Sequence, residues 1–402
     1  MEQQSIEVLR RLDRYLEELE PKLIAFRRQI HQHPDLSGKE ANTARFISQV
    51  LTGAAIPHRL AANGCGIISE TIRSPDPAAP VIALRADIDA LPIQEETGIA
   101  FRSNNPRVMH ACGHDAHAAM LLTTVLALKQ ENNLPFSWRA IFQPSEEEGQ
   151  GAQQLIQEGG LENVDGILAL HVDPNRIVGK AGITPGPRTA FCRDFVIEVR
   201  GRGGHAARPH ATIDPVAAAA HLVTLIYQAL PRSSDARDPM VVTIGMIQGG
   251  HTSNVIPDIV TLKGTIRALR REVAIEASST LERLSDATAQ AFKADIKVGF
   301  KNLLNGMVND ELTANACAEV AREFLRPENV ICDDPPSLGG EDFADYTAKV
   351  PGCMITLGVG FPNRKVTPLH TATFELNEAG LLVGPKLLVR CLLHWSKKRA
   401  AM

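Results

Sequence analysis

Eight consecutive residues, His110-Ala111-Cys112-Gly113-His114-Asp115-Ala116-His117, hold a thiol, three imidazoles and a carboxylate. Cys112 and His114 are two apart, so an extended backbone would send both side chains to the same side, whereas a helix would part them. Gly113 between them permits a tight backbone. A thiolate and an imidazole converging on one point suit zinc or another borderline first-row metal. Taken alone, Cys-x-His is too short to be specific and also fits a buried cysteine beside surface histidines.

Other groups of the same chemistry recur along the chain. Arg85-Ala86-Asp87-Ile88-Asp89 follows an apolar run, Gln143-Pro144-Ser145-Glu146-Glu147-Glu148 follows another, and His171 and Asp173 follow a third. Adjacent carboxylates repel one another unless something positive lies between them. A late histidine, His370, stands in Pro368-Leu369-His370-Thr371. One zinc needs three or four protein ligands, so Cys112, His114, one of the glutamates, His171 and His370 point to two ions sharing a bridging group, which a thiolate can be. Two ions about 3.5–4 Å apart would polarise a carbonyl and draw the pKa of a bound water towards neutrality. A neighbouring carboxylate that does not ligate would carry the proton from water to the leaving nitrogen.

These residues need elements to hold them. The first 20 residues have helical apolar spacing (Ile6, Leu9, Leu12, Tyr15, Leu16, Leu19), the helical pattern continues over 24–30 to a stop at Pro34, and 41–51 reads as a second helix. His31 and His33 at that exit read as capping or solvated groups. Strands are expected at 66–72, 81–84, 138–142 and 166–170, and an apolar helix at 118–129 with Asp115 as its N-cap. Successive strands thus end in metal-capable groups, the usual place for a site in an open α/β sheet. From about residue 187 the texture changes. Strand 195–200, helix 214–230, strands 241–247 and 259–266, helix 271–292 and strand 296–300 follow in the order β-α-β-β-α-β. Helices at 310–324, 342–349 and 383–393 and a strand at 353–357 then restore the first texture.

The fold class is therefore α/β: a mixed-sheet metallohydrolase domain with an inserted ferredoxin-like α+β domain. The expected division is a discontinuous metal-binding domain over 1–187 and 302–402, and an inserted lid or dimerisation domain over 188–301. Hydrophobic residues at 44%, charged residues at 22% and a formal charge of -4 lack the basic excess that a nucleic-acid partner calls for. No signal-peptide apolar region opens the chain and no apolar run approaches the ~18 residues of a membrane span. Seven scattered cysteines do not form a disulfide framework, which fits a reducing cytoplasm.

Several motifs in order, His110-Ala-Cys112-Gly-His114-Asp115-Ala-His117, Gln143-Pro-Ser-Glu146-Glu147, Leu170-His171-Val, Gly203-Gly-His205-Ala-Ala-Arg-Pro209-His210, Asn254-Val-Ile-Pro257, Gly264-Thr-Ile-Arg267, Gly340-Glu-Asp-Phe343 and Leu369-His370, make the chain similar to the dinuclear metallo-amidohydrolases. That family includes N-acyl-amino-acid amidohydrolases, hippurate hydrolases and indoleacetyl-amino-acid hydrolases, with aminoacylase and carboxypeptidase G type enzymes as more distant relations. The resemblance implies that Cys112, His114, Glu147, His171 and His370 ligate two divalent ions, zinc or manganese first and cobalt or nickel as further options, with Cys112 bridging. It implies Glu146 as general base and acid, Asp89 in a supporting catalytic role, and His205 and Asn254 reaching the substrate, in relatives often across the interface of a homodimer. Arg267 would pair with the α-carboxylate of an N-acyl amino acid, a role that the guanidinium fork suits. Glu148 and Gln150 intrude where the family usually has glycines, so a slip of one residue would exchange base and ligand. His251 stands where a small residue is commoner.

The activity expected is hydrolysis of the amide bond of N-acyl-L-amino acids carrying an acetyl, benzoyl or similar acyl group. A metallo-carboxypeptidase or dipeptidase on the same scaffold is one alternative. A cysteine hydrolase with Cys112 as nucleophile and His114 or His117 as base is another, but it leaves the glutamates, His171 and His370 without work. A non-catalytic metal-binding module is the third.

Overall fold

The computed structural model describes residues 2–301 and 303–400. The expected boundary at residue 302 and the terminal residues Met1, Ala401 and Met402 lie outside them. The chain separates into two compact units: residues 1–186, 308–335 and 341–402 form the first, and residues 187–307 and 336–340 the second.

The first unit is built on an eight-stranded mixed sheet. Its order is His58–Ala61, Gly66–Ser69, Ser137–Gln143, Val81–Asp87, Gly166–Ile177, Gly352–Gly360, Ala181–Gly182, Val330–Ile331. The middle four strands run parallel. Parallel strands are covered on both faces, and Val81–Asp87 accordingly has every residue buried, charged ones included. The strand runs on past the expected residue 84 because Arg85 and Asp87 pair with Ile141 and Gln143 in the neighbouring strand. Gly166–Ile177 likewise continues through His171, which stands opposite Thr356 in the parallel partner rather than at a strand exit.

Helix His114–Leu128 lies against this sheet, and every residue except Leu126 is buried. Thr123 and Thr124 satisfy their hydroxyls inside that apolar setting by donating to Ala119 O and Met120 O one turn back. Against it packs one long helix, Glu2–Gln32, whose Val8, Leu12, Leu16, Leu23 and Ile30 form the buried stripe. The helical pattern of the first 20 residues and its continuation over 24–30 form a single helix that includes Pro21. Pro21 is exposed, so the backbone carbonyl it leaves unpaired can be hydrated.

In the second unit, Met240–Gly249, Ile259–Ala268, Phe191–Arg200 and Asp295–Phe300 form an antiparallel sheet in that order. Helices Pro215–Ala229 and Arg271–Phe292 cover one face, and Phe195, Ile197, Leu222, Ile226, Leu262, Ile266 and Leu281 make the core between. Asp214 caps the first of these helices by accepting from Val216 N at 2.8 Å, with Pro215 at the first helical position. A separate two-stranded ribbon pairs Gly204–His205 with Val255–Ile256. Among the described residues no helix is long and apolar enough to cross a membrane.

Candidate metal centre

Adjacent strands of the first unit's sheet carry much of the site. Val81–Asp87 brings Asp87 and then Asp89, Ser137–Gln143 leads into Glu146 and Glu147, and Gly166–Ile177 carries His171. Cys112 and His114 come from the turn before the buried helix. They do not converge through an extended backbone. Gly113 takes φ +84 and His114 is already the first helical residue, so the left-handed glycine supplies the turn. An added Cβ on Gly113 would lie 2.4 Å from Val172 Cγ2, beside His171. Asp115 is not the N-cap, since that position is Gly113 and makes no side-chain bond. It accepts instead from the buried Arg27 at 3.0 Å and lies 2.9 Å from His31 Nδ1. His31 is thus part of a buried charged network that also reaches Glu95, rather than a solvated helix end.

Cys112 sulfur is the common point of two groups of ligand-type atoms, one with His114 and His171 and one with Glu147 and His370. His370 Nε2 lies 3.2 Å from the sulfur and His171 Nε2 3.6 Å from it. His370 sits in the left-handed region at φ +61, and its N–H donates to Ala111 O, which ties this late residue to the Cys112 turn. His171 Nδ1 contacts its neighbour Val172 O at 2.8 Å, and His114 Nδ1 lies 2.9 Å from Asp89 O. As donors there, both rings present Nε2 as a lone pair to the cluster. Asp89 thus contacts the Nδ1 side of the His114 ring, through its backbone oxygen and, at 3.2 Å, through Oδ1.

His114 Nε2 faces Asp87 at 3.8 Å and Glu146 and Glu147 at 3.9 Å, and is buried with no hydrogen-bond partner. Glu147 Oε1 is buried without one too, although His370 Nε2 is 3.3 Å away outside hydrogen-bond geometry. A lone pair surrounded by carboxylates at this spacing is repulsive until positive charge occupies the middle. Ligands about 2.0–2.3 Å from a shared ion lie at such distances from one another. The proton affinities agree. Burial alone would lower them, yet the facing thiol and Asp87 raise His171 to about 9 and hold His114 well above the usual imidazole range. The hydrogen bond to Cys112 and the Glu147 carboxylate nearby raise His370 to about 10. Burial pushes the Cys112 thiol up, but the His114 charge and the three histidine contacts outweigh it and draw it down to about 6. The donor set, two imidazoles and a carboxylate around a shared sulfur plus a further imidazole, fits borderline divalent ions.

Beneath the ligands lies a second charged layer. Arg85 is fully buried and donates to Asp87 at 2.6 Å, Gln143 at 2.8 Å, Asp342 at 3.0 Å and Glu341 at 3.2 Å. Asp87 Oδ1 lies 2.6 Å from His117 Nδ1, and His117 Nε2 accepts from Val172 N. Both His117 nitrogens are thus committed, and burial holds the ring down to about 4. These contacts tie the ring to the Asp87 carboxylate and to the backbone beside His171. Glu146 stands within ligand distance of Glu341 and Asp342, and burial together with their charge holds it well above the usual carboxylate range. Glu148 is exposed and belongs to none of these groups, so the two glutamates that enter the cluster are Glu146 and Glu147.

His205, Asn254 and Arg267 belong to the second unit. His205 lies in the two-stranded ribbon, Asn254 directly precedes its second strand, and both are exposed. His205 Nδ1 accepts from Ala207 N, so the neutral ring carries its proton on Nε2, and Asn254 Oδ1 accepts from Thr252, which leaves its amide N–H groups outward. Arg267 Nη1 donates to Leu338 O at 2.8 Å and to Cys192 Sγ at 3.4 Å. His251 is exposed. Sequence reasoning missed Arg85 and His117 as organising groups. The available signal was an arginine inside a strand otherwise apolar enough to be buried, two residues before Asp87 and so on its face.

The chain matches peptidase family M20/M25/M40 over residues 83–394. It is 36% identical to an N-acetyl-L-cysteine deacetylase of Bacillus subtilis, covering 91% of this chain and 86% of that one. It is 34% identical to IAA-amino acid hydrolase ILR1-like 4 of Arabidopsis thaliana, over 91% of this chain and 83% of the relative. A crystal structure of a Bacillus subtilis protein described as a dinuclear metal binding peptidase from the M20 family superposes with a TM-score of 0.83 at 32% identity, covering 95% of this chain and 99% of that one.

Gly113→Ala is expected to cost about 2–4 kcal/mol from left-handed strain and overpacking against Val172. Gly53→Ala, where an added Cβ meets nothing, should change stability little. Urea denaturation of the two variants checks the contrast.

Proposed function

The chain belongs to peptidase family M20/M25/M40 and is a hydrolase of amide bonds, and on that premise we propose that it cleaves the amide bond of N-acyl-L-amino acids with two divalent ions held through Cys112. The observation that carries this reading is the single sulfur shared by two ligand groups with Glu146 beside them. Similarity to a deacetylase of an N-acetyl amino acid and to a hydrolase of amino-acid conjugates supports the substrate class.

Cys112, His114 and His171 would hold one ion and Cys112, Glu147 and His370 the other. When bound, the pair would polarise the amide carbonyl and lower the pKa of a water. Glu146 takes the proton from the attacking water on its carboxylate and returns it to the amide nitrogen, so that the nitrogen leaves as an amine. A carboxylate whose proton affinity is raised by burial and by Glu341 and Asp342 is suited to that second transfer. Asp89 keeps His114 turned towards the cluster. We assign the second unit as the lid and dimerisation domain. Val216 and Tyr227 on its helix and Val241 and Ile247 on its edge strand are exposed apolar groups suited to a second copy. His205 and Asn254 present N–H donors that match an acyl oxygen gaining negative charge. Arg267 has no partner among the described residues for Nε and Nη2, the edge a carboxylate would take.

Elemental analysis should find close to two divalent ions per chain, with hydrolysis of an N-acyl amino acid lost on chelation and restored on re-addition. Metal-free protein that remains active would overturn the assignment and return Cys112 to the role of nucleophile. Glu146→Gln should keep both ions and lose at least the ~10²–10⁴-fold typical of a general acid-base group. Arg267→Ala should weaken substrates with a free α-carboxylate much more than their amides, and equal losses would refute the carboxylate role. His205→Ala should lower turnover and retain metal. Mixing it with Glu146→Gln protein under subunit exchange should restore activity if the histidine serves the partner's site.

A further inference from the structure

The loop that carries Glu146 is held by its backbone on both sides. Before Glu146, Ser145 N–H donates to Glu40 Oε1 at 2.9 Å; after it, Glu147 N–H donates to Asp89 Oδ2 at 3.1 Å. Ser145 takes φ +53, a conformation that a residue with a Cβ keeps only where its surroundings over-determine it. The loop closes on itself through Gly149 N to Glu146 O and Gly151 N to Ser145 O, and Gly151 is pressed so closely on Pro144 O that no Cβ fits. Within this tight turn the Ser145 N–H points out of the loop, and Glu40 is its acceptor.

Glu40 is not a surface group that happens to reach the loop. It is 0% exposed, stands just before helix Ala41–Gly53, and its Oε1 also accepts from Gly38 N at 2.8 Å, which fixes the carboxylate. Its other oxygen is buried with no hydrogen-bond partner. Ser37, three residues earlier, donates to Asp89 Oδ2 at 2.7 Å, the same oxygen that accepts Glu147 N–H. One short segment, residues 37–40, therefore fixes both carboxylates that accept the backbone N–H groups of the residues on either side of Glu146.

We propose that Glu40 is a positioning residue for Glu146: by accepting Ser145 N–H it keeps Ser145 left-handed and so sets the direction from which the Glu146 carboxylate enters the site. The proposal rests on the reading of Glu146 as the proton carrier. Glu147 keeps its own anchor in Asp89, so removing Glu40 disturbs the proton carrier and spares the ligand.

The test combines steady-state kinetics on an N-acyl amino acid, metal content, and amide hydrogen exchange over residues 144–149. In the wild type, Ser145 N–H should exchange far more slowly than the N–H of exposed Glu148. Glu40→Ala, or Glu40→Met if alanine leaves the protein unfolded, should speed exchange at Ser145 and lower kcat about 10²-fold, the scale of a small misplacement of a reacting group. KM and metal content should stay within about twofold of wild type on this account, because Glu147 is untouched. Glu40→Gln keeps an acceptor oxygen of the same shape and should restore both exchange protection and kcat. Fast Ser145 exchange in the wild type, equal loss in the Gln and Ala variants, or metal lost in step with kcat would each overturn the proposal. A wild-type protein inactive on every N-acyl amino acid would sink the reading of Glu146 instead, while Ser145 exchange would still report on the anchor.

Discussion

Negative charge is gathered in this protein more densely than water-free surroundings tolerate, and one buried guanidinium makes the gathering possible. Arg85 contacts Asp87, Glu341 and Asp342 from the middle of a strand buried on both faces. Removing one partner from such a pair leaves a buried charge uncompensated, which typically costs about 3–5 kcal/mol. Arg85 neutralises the floor of the site. The upper layer, where Cys112, Glu147 and the Nε2 atoms of His114, His171 and His370 face one another, has no side-chain cation among the described residues other than protonated histidine. Charge balance there falls to divalent ions, while burial and the charges of Glu341 and Asp342 hold Glu146 in its raised state of proton affinity.

Much of this was legible from residue types and order. Cys112, His114, Glu146, Glu147, His171 and His370 can each be picked out because few residues do metal or proton chemistry, and they follow apolar runs that read as strands. The alternation of strands and helices also placed the elements of both units, within a few residues at most ends. What stayed hidden was geometry carried by the backbone. Gly113 looked like a spacer within an extended pair, whereas its left-handed turn starts a helix and aims Cys112 and His114 together. Asp115 had the position of a helix cap, but Arg27, close to it only in space, claims it.

The supporting groups were harder still. His117 resembles its neighbours in the motif and would pass for a ligand or a base, yet Asp87 and the Val172 N–H occupy both its nitrogens. Glu40 stands in a stretch with no catalytic signature, and its worth lies in a contact with Ser145, 105 residues later. Periodicity and motif spacing report which face a residue takes. They do not report which backbone N–H it will meet from elsewhere in the chain.

The bond between the His370 N–H and Ala111 O, and the contact of His370 with Cys112 across 258 residues, bear on how the protein is made. At the usual ~5–20 residues per second of synthesis, His370 follows Cys112 by roughly 13–50 s. Over that interval the nascent chain carries a sulfur and several carboxylates whose last imidazole does not yet exist. Arg27 likewise waits for Glu378, and Asp13 for Arg390, so the first helix lacks its partners from the far end until translation is nearly over. The early half must remain soluble with an unfinished, strongly acidic pocket, and closure of that pocket is a late, long-range event rather than a local one.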